Sequence, residues 1–96
     1  MTADPNAEID HVGPVTPYRQ LAEILRARIA RGDWAPGRPI ASETRLVQEY
    51  GLARSTVRRA IAVLVDDGVV WTVQGRGTYV AEQLPGEAPE GGGAAD

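Results

Sequence analysis

The sequence has no cysteine, which excludes disulfides, zinc ribbons and thiol nucleophiles together. It has no lysine and no phenylalanine, so all ten basic residues are arginine and the aromatics are two tryptophans and three tyrosines. The single histidine, His11, is too little for a metal site. No apolar run approaches the roughly 20 residues that cross a bilayer. Nor does a basic segment followed by a hydrophobic stretch open the chain as a secretion signal would, so the expected location is the cytoplasm. No Ser-His-Asp set, acid pair or metal cluster stands out, and the chain is expected to be neither an enzyme nor a cofactor binder. At 96 residues there is room for one small domain.

What is present is unevenly placed. The formal charge of -3 argues on its face against nucleic acid, yet it is an average over three segments. Residues 1–13 hold Asp4, Glu8 and Asp10 and no arginine; residues 83–96 hold Glu87, Glu90 and Asp96 and no arginine. The centre, 14–82, sets ten arginines against seven acids and is therefore +3. Both acidic ends are poor in large apolar side chains and are expected to be disordered. The C-terminal one is expected to shield the basic centre from non-specific DNA.

Within the centre the periodicity changes twice. Thr16-Pro17 is a helix start, with Thr as N-cap and Pro at the first helical position. Tyr18, Leu21, Ala22, Leu25 and Ile29 follow at helical spacing, and Gly32 closes the helix. Trp34-Ala35-Pro36-Gly37 is a connector with a turn. Ser42-Glu43 opens a second, short helix whose apolar face is Leu46, Val47 and Tyr50, stopped by Gly51. Leu52 and Ala53 separate it from a third, with Val57, Ala60, Ile61 and Leu64 on its buried face and Gly68 as terminator. From there the pattern becomes β-branched: Val69–Val73 and Thr78–Val80 flank Gln74-Gly75-Arg76-Gly77, whose glycines suit a tight hairpin. The fold class is mainly α with a small β-hairpin, and the order of elements is that of a winged helix-turn-helix.

The third helix carries the functional expectation. At about 100° per residue, Ser55, Arg58, Arg59 and Ala62 lie opposite its buried face, with Arg54 just ahead and Thr56 on the flank. Arginine's planar fork fits guanine O6 and N7, hydroxyls and free backbone N–H groups at a helix start can donate to phosphate, and Ala62 permits close approach. Two neighbouring arginines on a surface are more often a solvated face. Their position after a tight helix-helix turn, with Arg76 at the hairpin tip, favours the DNA reading. Glu43 is expected to orient a nearby arginine rather than to act as an acid catalyst. Gly75-Arg76-Gly77 is a turn, since no helix follows it as a phosphate loop needs. Trp34 and Trp71 are expected to pack in the core.

The residues Tyr18-Arg19-Gln20-Leu21-Ala22, Gly32, Trp34, Pro36-Gly37, Ser42-Glu43, Tyr50-Gly51-Leu52, Arg54-Ser55-Thr56-Val57-Arg58-Arg59-Ala60, Gly68-Val69-Val70 and Gly75–Val80 run in an order that resembles the DNA-binding domain of the GntR family of bacterial transcription regulators. The resemblance covers about two-thirds of the chain. It implies a sequence-specific transcription regulator, a repressor by expectation, that puts its third helix in the major groove of double-stranded DNA and its wing in the adjacent minor groove. It implies DNA contacts at Ser42, Thr44 and Arg45 from the second helix, at Arg54, Ser55, Thr56, Arg58 and Arg59 from the third, and at Gln74, Gly75 and Arg76 from the wing. Pairing as a homodimer on an inverted-repeat operator is also implied. Three positions depart from the family pattern: Ala41 stands where Pro is usual, Thr44 where a polar or basic residue is common, and Ala53 where a capping Ser is usual. The fourteen residues after the wing leave no room for the effector domain that family members usually carry. The expectation is a DNA reader alone, as a short stand-alone member or an excised domain. The rival reading is a winged-helix module that binds protein instead, which salt-dependent binding to duplex DNA would exclude.

Overall fold

The computed structural model describes residues 4–82, and the acidic tail at 83–96, with its expected shielding role, lies outside the described residues. Helix α1 spans Pro17–Arg31, α2 spans Glu43–Tyr50 and α3 spans Arg54–Asp66; strands β1 (Val70–Val73) and β2 (Gly77–Val80) form an antiparallel pair. The order is the one the periodicity predicts, with each boundary within one or two residues. Arg54 is the first residue of α3 rather than the one before it.

Each helix ends for a local reason. Gly32 and Gly51 adopt the left-handed conformation after α1 and α2 and return their N–H groups to carbonyls one turn back. Ser42 caps α2, its Oγ accepting from the Arg45 N–H at 3.1 Å. Ala53, lacking an oxygen, gives α3 no such cap.

One core joins all the elements. Leu21, Leu25, Leu46, Val57, Leu64 and Val80 are fully enclosed, with Ile29, Ile61, Val69 and Val70 around them. Such burial is worth roughly 1.5–3 kcal/mol per large aliphatic side chain, and it fixes α3 between α1, α2 and β1. The strand register Val70↔Val80 turns valines inward, while its neighbour Trp71↔Tyr79 faces the other way.

Two features differ from the sequence reading and one adds to it. First, the addition: residues 37–40, where the connector ends, are tied to the hairpin. The Ile40 N–H donates to the Thr78 carbonyl, the Val80 N–H donates to the Arg38 carbonyl, and the Gly37 N–H donates to the Val80 carbonyl, each at 2.9 Å. Pro39 bridges Tyr79, so residues 37–40 edge β2 on the side away from β1. Second, Trp71 is not in the core: it is 45% exposed and stacks on Tyr79, centroids 5.2 Å apart. Trp34 is partly buried against the core, with the Arg28 guanidinium 4.5 Å from its ring centroid. Third, residues 4–13, expected to be disordered, form no helix or strand yet make defined contacts. Gln20 accepts from the Asp10 N–H at 2.7 Å and donates to the carbonyls of Asp10 and Val15, and Ile9 packs on the core. The N–H groups of Val12 and Gly13 donate to the Asp10 carboxylate and hold its pKa below the usual value.

Candidate nucleic-acid interface

Helix α3 presents its outward face as three strips. Small side chains, Ser55 and Ala62, form the middle. Arg58 flanks them on the α2 side, and Arg59 on the α1 side. Residues 58 and 59 are about 100° apart on the helix, so neighbouring arginines serve different surroundings.

On the α2 side, Glu43 gathers the arginines. Its carboxylate accepts from Arg58 Nε at 2.9 and 3.1 Å and from Arg54 Nη1 at 3.2 Å, while Arg54 Nη2 donates to Thr44 Oγ1 at 3.2 Å. The Arg58 bond, joined by that of Arg54, holds the Glu43 carboxyl below its ordinary range. Glu43 sits in the first turn of α2, where the helix dipole also favours an anion. The expected orienting role is thus met twice over. Exposed pairs of this kind contribute little to stability; their effect is to limit where the two guanidinium forks point.

On the α1 side, the Arg59 guanidinium lies over the Tyr18 ring, 4.2 Å from its centroid, and Arg19 approaches the same ring at 5.3 Å. Tyr18, read from the sequence only as part of an apolar stripe, is therefore also a platform. The uncapped start of α3 lies between the two groups, so the N–H groups of its first turn are open to an outside acceptor.

The wing lies on the α2 side of this face. Thr72 and Thr78 line one cleft with Glu43, Arg58, Ala62 and Asp66. At the tip, the Arg76 N–H donates to the Val73 carbonyl at 2.9 Å across Gln74-Gly75. Gly75 has φ +80°, which a residue with a Cβ adopts only at a cost. Gln74, Gly75 and Arg76 are exposed. Among the described residues Arg45 and Arg76 have no carboxylate partner, and Arg38, which the sequence reading passed over, has none either. Asp67 accepts from Arg26, which accounts for one of the two acids at the end of α3. Among the same residues, no group of three His, Cys, Asp or Glu side chains is placed to hold a metal.

Three helices, the second and third joined by a tight turn, with a two-stranded wing beside the exposed arginines of the third, define a winged helix-turn-helix domain. Residues 17–80 match the bacterial regulatory proteins of the gntR family. The chain belongs to that family. It is 44% identical over 66 residues to the mannosyl-D-glycerate transport/metabolism system repressor MngR of Escherichia coli (strain K12), a match covering 69% of this chain and 28% of that protein. To the HTH-type transcriptional repressor NagR of Bacillus subtilis (strain 168) it is 34% identical over 83 residues, 86% of this chain and 34% of that protein. The chain thus matches about a third or less of the length of these curated relatives. Among solved structures it superposes on AraR(DBD) in complex with operator ORE1 with a TM-score of 0.65 at 41% identity, over 67% of this chain and 78% of that one. It also superposes on YtrA from Sulfolobus acidocaldarius, a GntR-family transcription factor, with a TM-score of 0.71 at 31% identity, over 80% and 81% of the two chains. No helix among the described residues is long and apolar enough to cross a membrane.

Proposed function

We propose that this domain binds double-stranded DNA sequence-specifically and acts as a transcription regulator, a repressor like the relatives named above, working by binding rather than catalysis and in the cytoplasm. The observation that carries the reading is the pair Arg54 and Arg58, held at the exposed, uncapped start of α3 by the single carboxylate of Glu43. Two pre-oriented forks beside small side chains suit the edge of guanine in the major groove. Ser55 and Thr56, with the open N–H groups of the first turn, suit the phosphates beside it. Ser42, Thr44 and Arg45 on α2, together with Gln74, Gly75 and Arg76 on the wing, extend the contact along the backbone and into the minor groove. Two copies on an inverted repeat would place one α3 in each half-site.

The test is selection of bound fragments from random duplex DNA, followed by titration of the enriched sequence against a scrambled one. The expected result is an enriched motif with paired inverted half-sites and affinity that falls steeply with salt. Equal binding to all duplexes, or none at low salt, overturns the reading.

A further inference from the structure

Arg59 and Arg58 are adjacent in sequence and identical in type, yet their surroundings are opposites. Arg58 is tied to an acid; Arg59 has no carboxylate partner among the described residues and lies over the Tyr18 ring. Arg19 shares that ring from α1 and is likewise without a carboxylate partner. Two cations held near one ring repel each other, and the ring's attraction does not neutralise either. A nearby anion would.

The place is also right for one. A cleft on this side is lined by Thr16, Tyr18, Ser55, Thr56 and Arg59, so hydroxyls from the starts of α1 and α3 share one cleft with that guanidinium. A helix lying in the major groove, about 12 Å wide, has a phosphate strand on each side. With α3 so placed, the α2 start with Arg45 would meet one wall, and the α1 start, with Tyr18 and Arg19 beside Arg59 of α3, would meet the other.

We infer that Arg59, held by Tyr18 and assisted by Arg19, is a clamp for a backbone phosphate on the DNA strand opposite the one that α2 meets, and is not a base reader. The inference rests on the DNA-binding reading above and assigns a part to residues that the reading does not use. The clamp fixes how deeply and at what tilt α3 lies in the groove, and the ring keeps the fork in place before DNA arrives, reducing the ordering cost of the contact.

The experiment uses the selected duplex with single neutral methylphosphonate linkages placed in turn along each strand, titrated with the wild-type chain and with Arg59→Gln. The expected result is one linkage whose neutralisation weakens the wild-type chain roughly three- to tenfold and leaves Arg59→Gln unaffected, with Arg59→Gln weaker on selected and scrambled duplexes by the same factor and its salt slope lower by about one. Tyr18→Leu, which keeps every charge, should weaken the same linkage's contribution by a smaller factor. Should Arg59→Gln fold poorly, Arg19→Gln, exposed on α1, carries the same linkage test. The inference is overturned if no linkage behaves this way, or if Arg59→Gln reorders the preferred sequences, while Arg58→Ala still relaxes base preference. If Arg58→Ala leaves preference intact as well, it is the DNA-reading assignment of α3 that has failed.

Discussion

Two sets of arginines divide the domain: Arg26, Arg28 and Arg31 are each tied to carboxylates, whereas among the described residues Arg19, Arg38, Arg45, Arg59 and Arg76 have none, and Arg54 and Arg58 share one. Arg28 bonds Asp33 at 2.9 Å, Glu49 and the Tyr50 hydroxyl at 3.1 Å, and covers the Trp34 ring. Arg31 reaches the same Asp33 with two further bonds of 2.8 Å. The Arg31 bond foremost, then that of Arg28, holds the Asp33 carboxyl far below its ordinary pKa. One residue type thus does two kinds of work. Where its charge is met inside the chain it joins α1 to the connector and α2; where it is left unmet or half met, the deficit is available to a polyanion.

The comparison breaks most visibly at Arg28. Arg28→Ala removes bonds to three side chains and the cover of Trp34, and should destabilise the domain by about 2–3 kcal/mol in urea unfolding while leaving the order of preferred duplexes unchanged. A shift in preference would show that the two sets of arginines are not separate. Next is Arg58→Ala, expected to weaken the selected duplex by about 1–3 kcal/mol and relax base preference, with an unfolding midpoint close to wild type. Unchanged affinity would remove Arg58 from the reading set.

Glu43 sharpens the division further. Its folded pKa is depressed, so its pairing with Arg54 and Arg58 is present above the ordinary carboxylate range and is lost as pH falls through the lowered value. At neutral pH Glu43→Gln mimics that loss. It should tighten binding to scrambled duplexes by up to about 1 kcal/mol, because one negative charge leaves a surface facing phosphates, while the margin between selected and scrambled DNA narrows. Acidification through the lowered Glu43 value, below the ordinary carboxylate range, should move the wild-type protein the same way, and a widened margin would show that Glu43 opposes specificity. The smallest effect is expected at the wing tip. Arg76→Ala should weaken all duplexes by less than about 1 kcal/mol and lower the salt slope by about one. A sequence-dependent loss would make the wing a reader.

The helices were readable from sequence because their signals are local. Thr16-Pro17, Ser42-Glu43, Gly32 and Gly51 punctuate them, and apolar spacing marks the inner face of each. The bonding of 37–40 to β2 was not readable, because a stretch with prolines at 36 and 39 carries no strand period and pairs with a partner some forty residues away. Trp71 misled for a related reason. Its β-branched neighbours mark a strand, but which face of a two-stranded wing is covered depends on how the wing docks. At the site, the exposed face of α3 followed from its period. The separation of Arg58 from Arg59 did not, since it depends on Tyr18 and Glu43 arriving from different helices. For Arg38 the sequence held no signal at all.

Because residues 37–40 hydrogen-bond along β2 and lead directly to the Ser42 cap, a short run of backbone ties the hairpin to the start of α2, and α2 is in turn packed against α3. The base of the wing is therefore a caliper hinge set in the same frame as α3. If the wing and α3 grip DNA as proposed, selectivity for groove shape would come from that frame, at base pairs that no side chain touches.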